Sequence, residues 1–447
     1  MDNSGPVPGQ RGHAHPTPPV SAEPLRQPHA APDSVKRSTC ALPVSLTTLI
    51  GREREIVAAC TLLSRPEVRF LTLTGAGGVG KTRLALAIAT ELQGSYDDGV
   101  CFVSLAHVQD ANLVLPTIAQ ALDPQANARP PLETLLAELR DQHRMLVLDN
   151  FEAVVDAAPH LVELLAGCPR LKLLVTSREV LRVRGEREFV VQPLTLPDRK
   201  HTPSDQALAR YGAIALFLER AREVQPALQL TAVTAPLITD ICQRLDGLPL
   251  ALELAAARLK VLSLQGLLER LEHRLQVLTG GPRDLPARQQ TLRQTIAWSY
   301  GLLTDDEQRL FRLLSVFVDG CDLGAAEAVY SMLGGEGAAV LDGVTSLLDK
   351  HLLYQGEQDN GTSRFLMHET IQEYGLEALA NNQELDQARQ CHAEYFLRLA
   401  EEAETHLEGA EQAAWLDRLE RERANLYAAL QWALDRHAGE VALRLGG

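Results

Sequence analysis

The sequence predicts an α/β fold, a doubly wound parallel sheet, followed by all-α regions. Three observations carry this. Five near-continuous apolar runs of strand length, at 69–74 (RFLTLT), 99–105, 144–149, 171–177 and 188–192, alternate with helical stretches such as 83–92 and 132–140. Strands apolar on both faces belong to a parallel sheet covered by helices on both sides. Past residue 205 the strand series stops, and apolar positions recur at three and four, as in 213–221 (AIALFLERA). Finally, 447 residues exceed what one core organises, so several domains are expected.

In chain order, residues 1–45 stand apart: eight of the 24 prolines fall in the first 32 positions. Such a stretch buries too little to offset its ordering entropy and is expected to be a disordered tail. Residues 46–205 hold the strand–helix alternation, and 206–285 read as a helical domain. In 286–383 a helix at 292–303 precedes Thr304-Asp-Asp-Glu307, a capping box that opens a helix over 305–317. Strand-like pieces at 351–354 and 364–367 flank the turn 359–361, so helices and a small hairpin suggest a winged-helix-like unit. Residues 384–447 are amphipathic helix with Ala and aromatics on one stripe, as tetratricopeptide-like repeats begin. An unfinished solenoid exposes its last apolar face, so the natural protein or its relatives are expected to continue past Gly447.

The formal net charge is −15, with 58 acidic against 43 basic side chains. That balance repels phosphate backbones and anionic lipid and excludes a nucleic-acid coat. No stretch approaches a membrane span or a secretory signal, so a cytoplasmic location is expected. Seven cysteines contain no CxxC pair, which argues against a zinc knuckle or disulfide framework and for scattered reduced thiols.

Gly75-Ala76-Gly77-Gly78-Val79-Gly80-Lys81-Thr82 matches G-x-x-x-x-G-K-[ST] between a strand and a helix. Its glycines let backbone N–H groups wrap phosphate oxygens at a helix N-terminus. Lys81 supplies a compact positive charge, Thr82 a hydroxyl for Mg²⁺, and Arg83 continues the nucleotide-binding stretch. A plain Gly-rich turn is the weaker reading. The cofactors expected are therefore ATP or ADP with Mg²⁺.

The apolar run 145–149 ends in Asp149, the second metal-side ligand such a loop needs. The following position, where a carboxylate often polarises water, is Asn150, which predicts slow or conditional hydrolysis. Glu152 is either that catalytic carboxylate or a solvated helix start. Arg178, at the end of 171–178, either faces the γ-phosphate across the sheet crevice or is a surface arginine.

Further pieces fall in register: Gly51-Arg52-Glu53 before the loop, Gly247-Leu248-Pro249-Leu250, Trp298-Ser299-Tyr300 and Met367-His368-Glu369. In this order the set resembles the NB-ARC-type STAND ATPases, bacterial regulators whose ATPase core precedes a helical-repeat sensor. The resemblance covers roughly 43–447. It implies that Arg52 lines the base and ribose side, that Pro249 packs on adenine, and that His368 reaches the β-phosphate of ADP. Glu369 departs from the family's Asp. Alone, Arg52 is a surface charge, Pro249 a helix start and His368 a packed histidine.

The resemblance also implies an ADP-bound monomer at rest that self-oligomerises when a protein or small-molecule trigger engages the C-terminal helices. The leading expectation is a signal-transduction ATPase switch. The alternatives are a steady-turnover P-loop ATPase and a helical scaffold with a vestigial site. Between 291 and 366 five Lys/Arg face eleven Asp/Glu, so direct DNA binding by this segment is not expected.

Overall fold

The computed structural model describes residues 42–44, 46–123, 131–198, 205–281, 290–356, 363–409 and 411–446. The tail expected over 1–45 falls outside them except for 42–44, and so does the turn 359–361.

The nucleotide-loop half begins with α1 (Glu53–Ser64), β1 (Phe70–Thr74) and α2 (Lys81–Leu92). It continues through β2 (Val100–Ser104), α3 (Val114–Leu122), α4 (Pro131–Leu139), β3 (Met145–Asp149), α5 (Ala158–Gly167), β4 (Lys172–Thr176) and β5 (Glu186–Val190). The strands form one parallel sheet in the order β2-β3-β4-β1-β5. Alternate side chains of each strand enter different cores. Leu71, Leu73, Met145, Val147 and Leu174 pack with Leu84 and Ile88 of α2, whereas Phe70, Leu146, Leu148, Leu173 and Val175 pack with α3, α4 and α5. Both faces are covered, which is why these strands read as unbroken apolar runs.

β5 lies two residues earlier than the apolar run 188–192 placed it. It is an edge strand whose register is set by pairing Thr74 with Val190, and its outward residues need not be apolar.

The second region holds α6 (Asp205–Leu208), α7 (Gly212–Val224), α8 (Thr234–Arg244), α9 (Pro249–Arg258), α10 (Leu264–Arg270) and α11 (Arg274–Val277). The third holds α12 (Leu292–Gly301), α13 (Asp305–Leu314), α14 (Leu323–Met332), α15 (Ala338–Asp349), an antiparallel pair β6 (Tyr354–Gly356) and β7 (Arg364–Leu366), and α16 (Glu369–Asn381). The Thr304–Glu307 capping box is present at the start of α13. The strand expected at 351–354 begins only at Tyr354; Leu352 and Leu353 owe their apolar character to the core rather than to strand pairing. Last come α17 (Leu385–His406), α18 (Gln412–Arg421), α19 (Arg423–Asp435) and α20 (Gly439–Gly446), with Tyr427, Leu434 and Leu443 exposed.

Cys60, Cys168, Cys242, Cys321 and Cys391 are free thiols, but Cys101 on β2 is disulfide-bonded. This corrects the expectation of reduced thiols throughout. A disulfide requires its Cα atoms to be about 7 Å apart or less in space, which spacing along the chain does not test. Among the described residues no helix is long and apolar enough to cross a membrane.

Candidate functional site

The loop 75–82 leaves the buried end of β1 and turns into α2. Gly75 has φ +146° and passes so close to the β5 exit that a Cβ would lie 2.6 Å from the Val191 carbonyl oxygen. A Cβ at Gly77 would lie 2.7 Å from Thr295 Cγ2. The glycines are therefore required by contacts as well as by backbone conformation. Lys81 Nζ donates to the carbonyls of Gly75 (2.7 Å) and Ala76 (3.1 Å). Burial pushes its pKa down to about 8, and Arg178 adds to that, while Glu152 and Asp149 oppose it.

Parallel strands place their carboxyl ends on one edge, so Asp149 at the end of β3 and Thr176 at the end of β4 converge beside α2. Thr82 Oγ1 and Thr176 Oγ1 each donate to Asp149 Oδ1 at 2.7 Å, and the Asn150 N–H donates to Thr176 Oγ1 at 3.0 Å. Burial raises the Asp149 carboxyl pKa and the two hydroxyl bonds counter it. Thr176 was legible only as part of a strand end; its hydrogen bond to Asp149 was not.

Glu152 is buried rather than solvated. Its Oε1 lies 3.4 Å from Arg178 Nε, and its Oε2 has no hydrogen-bond partner among the described residues. Arg178, also buried, donates from Nη1 to the Thr295 carbonyl at 3.2 Å. The arginine at the end of β4 thus bridges the sheet to α12.

The GLPL segment reaches the same loop. Pro249 is the first residue of α9, and the Leu250 N–H donates to the Gly78 carbonyl at 3.2 Å. Arg52 is buried, donating from Nη2 to the Val79 carbonyl at 3.0 Å and pairing with Glu55 at 2.7 Å. Arg83 ties α2 to Glu253 of α9 and to Thr47. His368, at the N-cap of α16, has Nδ1 3.6 Å from Asp246 Oδ1, and its ring stacks on Tyr354 at 4.8 Å. Asp246 immediately precedes the GLPL segment, so His368 touches that turn. A cavity of about 330 Å³ beside it is lined by Gln192, Leu196, Gln243, Asp246 and Tyr354.

The residues present fit a nucleotide with a divalent cation. The glycine loop opens α2 at Lys81, with Gly75, Gly78 and Gly80 at positive φ, the backbone form in which N–H groups turn toward an anion. Thr82 and Asp149 are the hydroxyl and carboxylate oxygens that a hard cation prefers.

Residues 66–179 match the family model described as an AAA domain. An uncharacterized protein of Mycobacterium tuberculosis is 35% identical over 344 residues, which are 76% of this chain and 84% of that protein. The chain belongs to its family. A protein of the same organism named an HTH-type transcriptional regulator is 38% identical over 379 residues, 84% of this chain; the chain spans 41% of that protein's length. Regulatory protein AfsR of Streptomyces coelicolor is 30% identical over 316 residues, 68% of this chain and 28% of AfsR. Among solved structures, a signal transduction ATPase with numerous domains and a tetratricopeptide repeat sensor, from Pyrococcus horikoshii, aligns over 93% of this chain and 59% of its own, at 15% identity and a TM-score of 0.33. This member of the family carries an AAA-type P-loop domain with a five-stranded parallel sheet, followed by a mostly helical region.

Proposed function

We propose that this chain is a nucleotide-controlled switch that binds ATP and ADP with Mg²⁺ and couples the bound state to the arrangement of its domains. One observation supports this above the rest: the P-loop is gripped by both following regions, through the Leu250 N–H on the Gly78 carbonyl and through Thr295, which meets both Gly77 and Arg178. Whatever occupies the loop must therefore be accommodated by α9 and α12 together. Differential contact with two domain arrangements is the physical requirement for a ligand-driven switch.

In this reading Lys81 leaves its own loop carbonyls to neutralise phosphate, and Thr82 with Asp149 holds Mg²⁺, while Thr176 orients the Asp149 carboxylate. The bound nucleotide supplies the phosphoanhydride whose hydrolysis resets the switch. Arg52 holds the loop backbone at Val79, Pro249 flanks Gly80, and His368 acts on the GLPL turn through Asp246. Asn150, a poor base, favours slow turnover.

Buried Glu152, with one oxygen unpartnered, favours the second reading, a steady-turnover ATPase. Phosphate release measured with Mg²⁺ and ATP separates them: turnover within the ordinary enzyme range of ~1–10³ s⁻¹ overturns the switch reading. Self-association on nucleotide exchange follows from the resemblance. Engagement of a trigger by α17–α20 has support in exposed Tyr427, Leu434 and Leu443. Control of transcription has support in the names of the regulator relatives, exerted without direct DNA binding by the acidic segment 291–366.

A further inference from the structure

A cavity of about 230 Å³ opens at the joint between the second and third regions, and no residue of loop 75–82 or of β1–β5 lines it. The second region contributes Asp246, from the turn before α9. The third contributes the end of α13 and the segment after it, the β6–β7 pair and the first turn of α16.

The lining combines two chemistries. Leu314, Phe317 and Leu353 are buried apolar side chains, whereas Asp246, Asp319 and Glu369 bring three carboxylates. Among the described residues no lysine or arginine lines the cavity. The nearby arginines are committed elsewhere. Arg274 pairs with Glu369, and Arg364 pairs with Glu422 while bonding the Asp319 and Gly320 carbonyls, not the Asp319 carboxylate.

Asp246 is only 12% exposed, yet no lysine or arginine among the described residues pairs with it. Its Oδ2 accepts from the Thr370 N–H at 3.3 Å and hydroxyl at 3.2 Å. Its Oδ1 has His368 Nδ1 at 3.6 Å, beyond hydrogen-bond distance. The Asp319 carboxylate, which is exposed, makes no hydrogen bond or ion pair among the described residues. A carboxylate drawn out of water without a matching cation is unfavourable, and a ligand that brings the cation relieves it.

We propose that this cavity binds a small organic amine, whose ammonium group is met by Asp246 and Asp319 and whose apolar body packs on Leu314, Phe317 and Leu353. A bare metal ion would leave the apolar wall unmatched, and an anion would meet only carboxylates. The volume lies below the ~300–1,000 Å³ of pockets for drug-sized ligands, too little for a nucleotide. A ligand touching Asp246 on one side and the hairpin unit on the other stabilises the docked arrangement of the two regions. The inference stands apart from the nucleotide reading.

The experiment is calorimetric titration of the full chain, near neutral pH, with phenethylamine. Phenylethanol and phenylacetate keep the apolar body but carry no charge and a negative charge. The amine should bind saturably with a Kd of about 1 mM or tighter, a modest efficiency for a fragment of this size. The alcohol should bind about 10- to 150-fold more weakly, the worth of one charge-assisted hydrogen bond, and phenylacetate should not bind. Asp319→Asn and Asp246→Asn should each weaken the amine about tenfold or more, and Asp319→Asn, at an exposed position, should melt like wild type without amine. Lys81→Ala should keep wild-type affinity for the amine. Equal affinities for amine and alcohol would show an apolar slot only and overturn the inference. Unchanged amine affinity in both aspartate variants, or its loss in Lys81→Ala, would place the amine elsewhere and overturn it too. So would the absence of saturable binding to wild type.

Discussion

Arg364 of β7 and Glu422, the residue before α19, meet at 2.6 Å with both side chains more than nine-tenths out of solvent. The same guanidinium donates to the Asp319 (2.6 Å) and Gly320 (2.9 Å) carbonyls. Asn425 completes the network: its Nδ2 donates to Gly320 and Glu422, and its Oδ1 accepts from the Val318 N–H and from His392 Nε2. The hairpin unit and the C-terminal helices are therefore joined by buried polar bonds as well as by apolar packing.

Glu422→Ala leaves the Arg364 charge buried with only carbonyls around it. Removing one partner of a buried pair destabilises by about 3–5 kcal/mol. The expected result is an earlier first transition in urea unfolding, accompanied by protease cleavage within α17–α20. The double substitution Arg364→Met, Glu422→Leu should recover most of the loss. A Glu422→Ala curve that overlays wild type would show that the junction is held by apolar contacts alone.

Lys81→Ala should weaken ADP binding by at least about 100-fold, the equivalent of two charge-assisted hydrogen bonds. The fold should survive, because the lysine bonds only carbonyls of its own loop. Calorimetric titration beside a melting curve checks both parts, and undiminished affinity would remove Lys81 from the site.

Asp149→Asn keeps the shape that accepts from Thr82 and Thr176 but removes the negative charge. The increase in nucleotide affinity that Mg²⁺ confers should fall by about tenfold or more, while affinity without Mg²⁺ holds or rises. Titrations with Mg²⁺ and with EDTA decide it; an unchanged Mg²⁺ effect would place the cation elsewhere.

His392 is buried, and burial lowers its pKa from 6.5 to about 4, against the Asn425 bond that raises it. Below pH 6.5 the unfolded chain gains a proton that the folded chain refuses, so stability falls as pH drops toward 4 and is flat above 6.5. Between pH 7 and 5 this one group costs about 2 kcal/mol. His351, also held at about 4, slopes the same way. Denaturation at pH 7, 6 and 5 should show a shallower loss in His392→Gln than in wild type; parallel curves would mean that His392 does not carry it.

The strand–helix alternation, the loop 75–82, the carboxylate ending β3 and the Thr304 cap were legible because each is a pattern among neighbouring residues. Period, turn chemistry and capping act within a few positions, where chain connectivity fixes who meets whom. The β5 edge and the residues at 351–353 misled for the complementary reason: apolarity reports burial, and burial does not distinguish strand pairing from packing in a turn.

What the sequence by itself determined is a P-loop domain on a parallel sheet, with loop 75–82 opening α2 and Asp149 ending β3, and helices after it. Only the tertiary structure decided that Glu152 is buried against Arg178, that Arg178 reaches Thr295, and that His368 lies beside Asp246. Those residues lie far apart along the chain, and their meeting depends on how whole layers pack. Packing sums weak contacts over every buried residue, and no local segment of sequence records that sum.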